Sequence, residues 1–388
     1  MTNTQTLENQ TTSGVYAKRD LVIVRGEGAT LWDEQGKEYI DCVGGQGAAN
    51  LGHAHPKIVA AITEQAQKII SCPEMFYNDT RAQLLEKLTS LAPVGMNRVF
   101  LTNSGAETVE AAFKFARFSA RRTKIIATMR GFHGRTFGAL SATWNKKYRQ
   151  PFEPLVPDFV HVPYNNLEKL TATLDENTAA VILEVVQGEG GVHPGAAEYL
   201  LGAQQLCRER GALLIIDEIQ TGFGRTGKMF ALEHHNLQPD LLCVAKSIAG
   251  GLPMGALLIG ERVGELSPGI HGSTFGGNPL TAAASLAALT VLDEDQLPQR
   301  AAELGAYLLE ELNEIESPLI REVRGLGLMI GIEIKQKVAP YLQALTERGI
   351  LALPAGLTVI RLLPPLVITR EQIERVIEVL REILTEGE

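Results

Sequence analysis

The chain has 388 residues, of which 45% are hydrophobic, and a formal net charge of −9. This length allows a full core and more than one domain, whereas the negative charge argues against nucleic-acid binding, which needs a basic surface. No run reaches the roughly 20 apolar residues that span a bilayer, and the polar first residues lack a secretion signal, so we expect a cytoplasmic enzyme or binding protein for small metabolites, with no membrane partner.

The N-terminal part predicts a small antiparallel unit after a disordered or loosely attached start. Strand-like pieces at 21–24 and 30–33 are separated by glycines, and a turn at 34–37 returns the chain to a third piece at 38–40. His53 and His55 follow in a loop with no third ligand nearby in sequence, so we favour loop packing over metal binding. Helices are expected over 56–69 and 80–91.

A turn between a strand and a helix predicts an anion site. The strand at 98–102 is followed by Asn103-Ser104-Gly105-Ala106-Glu107 and a helix at 108–122. The positive end of the helix and its free backbone N–H groups would face the ligand, the Ser104 hydroxyl would add a donor, and Gly105 and Ala106 would let a phosphate come close. An ordinary helix cap at Asn103 or Ser104 is the alternative.

Two further loops follow strands of the same region. After the strand at 124–128, glycines flank Phe132 and Arg135, which suggests that Phe132 faces a flat ring and Arg135 a carboxylate. A structural arginine is the alternative. The strand at 180–186 leads into a loop at 187–191 that contains Glu189.

Two buried strands then end in charged residues. The apolar run at 213–216 ends in Asp217, and the run at 241–245 ends in Lys246. At the C-terminal ends of neighbouring parallel strands, both side chains would face the crevice in which open α/β sheets bind ligands. A desolvated lysine can form a Schiff base, and an aspartate can keep a pyridine nitrogen protonated, so the pair suggests pyridoxal phosphate chemistry.

The glycines between 222 and 227 match GxGxxG, which raises the alternative of a nicotinamide dehydrogenase. Residues 218–221 separate them from the strand, no long helix follows at once, and no acidic residue ends a next strand about 20 residues on. We therefore expect a flexible loop.

The C-terminal part predicts a smaller α+β unit. It contains helices at 279–292, 299–315, 339–348 and 370–384 and strands at 320–324, 327–334 and 359–363. Alternating strands and helices from 98 to 260 indicate a mainly parallel sheet. We predict an α/β fold with a large ligand-binding domain at 46–275 and a small domain at 276–388. The N-terminal segment at 1–45 is expected to join the small domain.

With these motifs in view, the chain resembles the class III, fold-type I pyridoxal phosphate aminotransferases over nearly its whole length. The motifs that carry the resemblance are the two loops around Gly105 and Phe132, Asp217-Glu218-Ile219-Gln220-Thr221-Gly222, Ala245-Lys246-Ser247, 271–279 and Arg324-Gly325-Leu326-Gly327. Within the class it is most similar to the acetylornithine aminotransferase group, and nearest to the branch that makes lysine from a precursor held on an acidic amino-group carrier protein. Residues 13–16, 39–45, 50–53 and 355–361 support that placement.

The resemblance implies a role for each residue around pyridoxal 5'-phosphate. Lys246 would hold the cofactor covalently and move the substrate proton, and Asp217 would pair with the pyridine nitrogen. Gln220 would bind the ring's 3-oxygen and Phe132 would stack on the ring. Phosphate ligands would be Ser104, Gly105, Ala106 and, from the other subunit of a homodimer, Thr274.

Four residues would serve the substrates. Arg135 would bind a carboxylate and Ser273 would lie beside the substrate, whereas Arg361 would bind the α-carboxylate of glutamate. Glu189 would cover Arg361 when the other substrate is bound.

The implied reaction is a ping-pong exchange of a terminal amine with 2-oxoglutarate and glutamate. The amino donor is a carrier-linked or N-acylated lysine or ornithine, in lysine or arginine biosynthesis. Alternatives are an acetylornithine aminotransferase of arginine biosynthesis alone, another ω-amino acid transaminase, an aminomutase or a decarboxylating transaminase. The basic residues Lys146, Lys147 and Arg149 fit an ordinary solvated loop best, with steering of an acidic carrier protein as the alternative.

Overall fold

The computed structural model describes residues 3–385, and its strands are numbered in chain order. They are β1 (Ile23–Glu27), β2 (Thr30–Asp33), β3 (Glu38–Asp41), β4 (Met96–Thr102), β5 (Lys124–Thr128), β6 (Phe159–Val162), β7 (Thr178–Leu183), β8 (Val186–Gln187), β9 (His193–Pro194), β10 (Leu213–Asp217), β11 (Leu241–Val244), β12 (Gly255–Gly260), β13 (Ile320–Leu326), β14 (Met329–Ile334), β15 (Ile350–Leu351), β16 (Leu353–Ala355) and β17 (Val359–Leu362).

The α-helices of the same residues cover both faces of the sheets. They are α1 (Thr4–Thr11), α2 (Gly44–Gly47), α3 (Pro56–Lys68), α4 (Asp79–Leu91), α5 (Gly105–Ala120), α6 (Phe137–Ala142), α7 (Lys146–Arg149), α8 (Leu167–Thr173), α9 (Ala197–Arg210), α10 (Pro279–Glu294), α11 (Leu297–Asn313), α12 (Ala339–Glu347) and α13 (Arg370–Thr385). None of these helices is long and apolar enough to cross a bilayer.

The central sheet has seven strands in the order β4-β12-β11-β10-β7-β5-β6. Every residue of β7, β10 and β11 is buried, which explains why these strands are continuous apolar runs rather than alternating ones. All neighbours from β11 to β6 are parallel, as predicted. β12 runs antiparallel to both β11 and β4, because residues 245–254 are too few for the crossover that a parallel neighbour needs.

Two four-stranded sheets lie beside the central one. The N-terminal unit β1-β2-β3 is extended by β15 from the C-terminal part, which pairs parallel with β3. The other sheet has the order β13-β14-β17-β16. The pairing of β3 with β15 agrees with an N-terminal segment that joins the C-terminal unit, although the domain boundaries themselves stay predictions.

Two predicted irregular segments are more ordered than expected. The chain forms α1 near its start, where Asn3 caps the helix by accepting the Thr6 N–H at 2.8 Å, yet none of its residues is buried. The glycine-rich loop at 222–227 is also not a flexible surface loop, because Phe223 and Arg225 are buried within it.

The turn after β10 is held by a buried carboxyl group. Glu218 Oε1 accepts the Leu232 N–H at 2.7 Å, and Glu218 Oε2 accepts the Thr221 hydroxyl. Burial raises the pKa of Glu218 to about 7 from an ordinary value of 4.5. Between these two pH values the folded chain holds a proton that the unfolded chain has released, so the stability contributed by this group falls as the pH rises.

We therefore expect Glu218→Gln to flatten the pH dependence of stability. The slope of the free energy of unfolding between pH 5 and pH 7 should become less negative by about 1 kcal/mol per pH unit, since one proton corresponds to about 1.4 kcal/mol per unit. Urea unfolding across this range measures both slopes, with Glu233→Gln, at an exposed carboxyl of the neighbouring turn, as the matched control. Equal slopes in wild type and Glu218→Gln would contradict the assignment.

Candidate active site

The parallel pairing of β10 with β11 brings Asp217 and Lys246 to one edge of the central sheet. Asp217 is in register with Cys243, three residues before Lys246. The chain turns sharply there, since Lys246 has a φ of +48°, a left-handed conformation that is uncommon for residues other than glycine. Such backbone strain is concentrated at functional sites.

The environment of Lys246 destabilises the charged form of its amine. The residue is partly buried, and its amine makes no hydrogen bond to any residue in 3–385. Burial lowers the pKa of Lys246, and the nearby Arg361 lowers it further, against the opposing charges of Glu189 and Asp217. The neutral form is the one that can attack a carbonyl group.

Asp217 lies beside a buried histidine, His133, which the sequence pattern did not single out. His133 Nδ1 lies 2.7 Å from Asp217 Oδ2, and Asp217 Oδ1 accepts the Ile219 N–H at 3.0 Å. Burial alone would lower the pKa of His133, but the hydrogen bond and charge of Asp217 outweigh it and raise the pKa. A protonated histidine in turn stabilises the carboxylate form of Asp217.

Glu184 is a second carboxyl group that the sequence analysis passed over. Its Oε1 accepts the Phe132 N–H at 3.0 Å and its Oε2 accepts the Gly188 N–H at 3.1 Å. Burial raises its pKa, with His133 and Asp217 as charged neighbours. One side chain thus connects the loop that carries Phe132 with the loop that carries Glu189.

The N-terminus of α5 lies against the turn that follows Asp217. A Cβ on Gly105 would come within 2.9 Å of Ile219 Cδ1, so glycine allows this close approach. Ser104 caps the helix by accepting the Glu107 N–H at 3.2 Å, as one of the two interpretations predicted. The first N–H groups of a helix have no partner inside it, and those of α5 lie beside the turn that follows Asp217, a position that suits an anion.

Arg361, Glu189 and Gln220 form one cluster near Lys246. Arg361 is only 2% exposed, and its Nη1 lies 2.6 Å from Glu189 Oε1 and donates to Gln220 Oε1 at 3.0 Å. Burial alone would raise the pKa of Glu189, but the charges of Arg361 and Lys246 lower it. The ion pair that the resemblance implied is therefore formed in this structure.

Three of the expected site residues lie toward the surface. The Arg135 guanidinium stacks 3.5 Å from the centre of the Tyr148 ring and 5.8 Å from that of Phe132. Ser273 Oγ accepts the Asn103 side-chain N–H at 2.9 Å, next to the N-terminus of α5. Thr274 is exposed, and its side chain makes no hydrogen bond to any residue in 3–385.

This set of groups fits pyridoxal phosphate. A helix N-terminus, an aromatic side chain, a carboxylate and a buried amine suit its phosphate, ring, pyridine nitrogen and aldehyde, in that order. In a dinucleotide site the glycine-rich loop leads directly into a helix. The loop at 222–227 does not.

Known proteins are similar in sequence to this chain over nearly its whole length. The family model "Aminotransferase class-III" matches residues 13–384. A [LysW]-aminoadipate semialdehyde transaminase of Deinococcus radiodurans is 52% identical over 97% of this chain and 89% of its own. An acetylornithine aminotransferase of Methanothermobacter thermautotrophicus is 44% identical over 98% of both chains.

Solved structures give the same result for the fold. An ornithine aminotransferase from Toxoplasma gondii superposes with a TM-score of 0.93 at 36% identity, covering 97% of this chain and 93% of that one. An acetylornithine aminotransferase from Elizabethkingia anophelis gives a TM-score of 0.87 at 36% identity over 97% of both chains. The predicted fold-type I architecture and the predicted pyridoxal phosphate dependence are confirmed. The chain belongs to the class III aminotransferases.

Proposed function

We propose that this aminotransferase exchanges the terminal amine of a carrier-linked or N-acylated lysine or ornithine with 2-oxoglutarate and glutamate. The observation that carries the proposal is the 2.6 Å ion pair between Arg361 and Glu189 beside Lys246. The names of the similar proteins, a [LysW]-aminoadipate semialdehyde transaminase and acetylornithine aminotransferases, support the substrate class. The cytoplasmic location stays a prediction from the sequence.

The cofactor, when bound, supplies an electron-withdrawing ring that stabilises negative charge on the substrate carbon. Lys246 Nζ takes the proton from the substrate carbon that bears the amine. Asp217, which is paired with His133, would keep the pyridine nitrogen protonated, and Gln220 would hydrogen-bond to the 3-oxygen. Phe132 would stack on the ring, while Ser104, Gly105 and Ala106 would hold the phosphate.

The Glu189–Arg361 pair gives a physical basis for accepting two unlike substrates. Glutamate brings a carboxylate to Arg361, whereas an acylated diamine that reacts at its terminal amine presents methylenes there. A bare buried cation facing methylenes would be costly, so Glu189 neutralises Arg361 for that substrate and moves aside for glutamate. Arg135 and Ser273 then bind the far carboxylate of the amino donor.

A homodimer would complete the phosphate site with Thr274. Large apolar side chains are exposed on two segments, Ile70, Met75, Phe76 and Tyr77 on one and Phe275 on the other. Buried Arg81 holds these segments together, because its guanidinium donates to the carbonyl oxygens of Cys72, Phe76 and Gly277. A contiguous apolar patch of this kind is typical of an interface, and a second copy seated on it would receive the neighbouring Thr274.

A comparison of amino donors tests the substrate. We expect carrier-linked lysine and acetylornithine to give a kcat/KM at least about a hundredfold above that of 4-aminobutyrate, which lacks the acylated α-amino group and holds its carboxylate closer to the reacting amine, where Arg135 would bind it less well. Steady-state rates with 2-oxoglutarate as acceptor measure this. A preference for 4-aminobutyrate would contradict the proposal.

Glu189→Ala should weaken the discrimination between the two half-reactions. Without Glu189, Arg361 stays uncovered, so the acyl-diamine should lose about tenfold in kcat/KM while glutamate loses less. Single-turnover kinetics with each donor measure the two losses. Glu294→Ala, which removes a carboxylate from a surface pair with Lys57, is the control, and equal losses on both donors would count against the switch.

The basic residues of α7 test the alternative of carrier steering. Lys146 and Lys147 are exposed, so the double change to glutamate should lower kcat/KM about tenfold for carrier-bound substrate alone, in a salt-dependent way. Lys335→Glu, at another exposed lysine, is the control. The same loss on free acetylornithine would rule out steering.

A further inference from the structure

The glycine-rich loop at 222–227 has no part in the proposed chemistry, yet it holds a fully buried cation. Arg225 has no exposed surface. Its Nη1 donates to the carbonyl oxygens of Leu328 at 2.9 Å and Pro364 at 2.5 Å, and its Nη2 donates to Asn50 Oδ1 at 2.6 Å. These three acceptors come from parts of the chain that are far apart in sequence.

The Arg225 guanidinium donates its hydrogen bonds to neutral oxygen atoms rather than to a carboxylate. None of the ion pairs formed by residues 3–385 includes Arg225, although the Asp41 carboxylate acts on it from a distance. Burial lowers the pKa of Arg225 to about 9, so the guanidinium stays charged at neutral pH. Charge-assisted hydrogen bonds to fixed carbonyl groups are strong and directional, which makes such a group suited to fixing the relative position of segments.

The contacts between these segments run in both directions. Leu328 N–H donates back to the Arg225 carbonyl at 3.0 Å, and Asn50 Nδ2 donates to the Phe223 carbonyl at 2.8 Å. A Cβ on Gly327 would lie 2.4 Å from the carbonyl carbon of Thr226. The loop and the β13–β14 turn therefore pack backbone against backbone.

Two contacts connect the loop and the residues just before it to the neighbourhood of Arg361. Pro364, which Arg225 holds, follows Arg361 by three residues at the exit of β17. Gln220, just before the loop, accepts from Arg361 Nη1. Arg361 Nε is buried without a partner among the described residues, so the guanidinium depends for its position on few contacts of its own.

We propose that Arg225 is a positioning residue for Arg361 and thereby sets the affinity of the site for the α-carboxylate of glutamate. Arg225 anchors the exit of β17 to the segment that begins at Asp217. It thereby fixes the distance between Arg361, which would bind the carboxylate, and Asp217, which would bind the cofactor. The inference rests on the proposed role of Arg361. It concerns binding of one substrate, not the chemical step.

The test is Arg225→Lys in the holoenzyme, which keeps the charge but loses the forked donors. In single-turnover kinetics with glutamate, we expect the apparent Kd to rise about tenfold, the loss of about one charge-assisted hydrogen bond. The maximal rate, and the Kd for acetylornithine, should stay within about twofold. The Kd of glutarate, a dicarboxylate without an amine, should rise with that of glutamate.

Matched variants separate the possible outcomes. Arg300→Lys changes an arginine that donates to the Ile368 carbonyl at 2.7 Å, outside the contacts of Arg361, and Asn50→Ala removes one acceptor of Arg225 if Arg225→Lys does not fold. A selective loss for glutamate in Arg225→Lys or Asn50→Ala, absent in Arg300→Lys, supports the inference. Equal losses for both donors, or the same loss in Arg300→Lys, overturn it while the proposed function stands. If Arg361→Lys itself leaves glutamate binding unchanged, the role of Arg361 fails and the inference fails with it.

Discussion

The parallel pairing of β10 with β11 is the constraint on which the site depends. Both strands are buried along their whole length, so their register is fixed by the core and not by the charged residues that follow them. Because the strands run in the same direction, the aspartate and the lysine leave the sheet at the same edge. The rest of the site is built on this edge, with the N-terminus of α5 packed against Ile219 and the loop of Phe132 beside it.

Burial of charge at this edge determines the chemistry of the individual groups. The same desolvation that lowers the pKa of Lys246 raises that of Glu184, and the ion pairs reverse the effect of burial on His133 and Glu189. His133 and Glu189 each have a charged partner, which offsets the cost of burying them. Arg361 is paired with Glu189, and under the proposed function a substrate carboxylate would replace Glu189, so that one pocket would serve a dicarboxylate and an acylated amine.

The sequence allowed the long apolar strands and the charged residues at their ends to be predicted, because each depends on a local pattern. The strand Lys124–Thr128 and the end of β10 at Asp217 lie where the apolar runs placed them. The direction of β12 did not follow from such a pattern, since it depends on the length of the connection before it. The same holds for the burial of the loop at 222–227, which becomes apparent only when the β13–β14 turn is packed on it.

His133 and Glu184 were missed for a related reason. Their partners lie far away in sequence, 84 residues for His133 with Asp217 and 52 residues for Glu184 with Phe132. The spacing of the glycines around Phe132 and Arg135 is a recognisable local pattern. A function for His133, which lies between them, is indicated only by its contact with Asp217. Only a prediction of which strands are neighbours would have revealed these contacts.

The most direct test of the account is the site of covalent cofactor attachment. The enzyme, loaded with pyridoxal phosphate and reduced with borohydride, is digested, and the peptide that carries the pyridoxyl group is identified by mass spectrometry. The account predicts one modified peptide, with the group on Lys246, and none in Lys246→Ala. Attachment at another lysine, or an unchanged peptide pattern in Lys246→Ala, would contradict it.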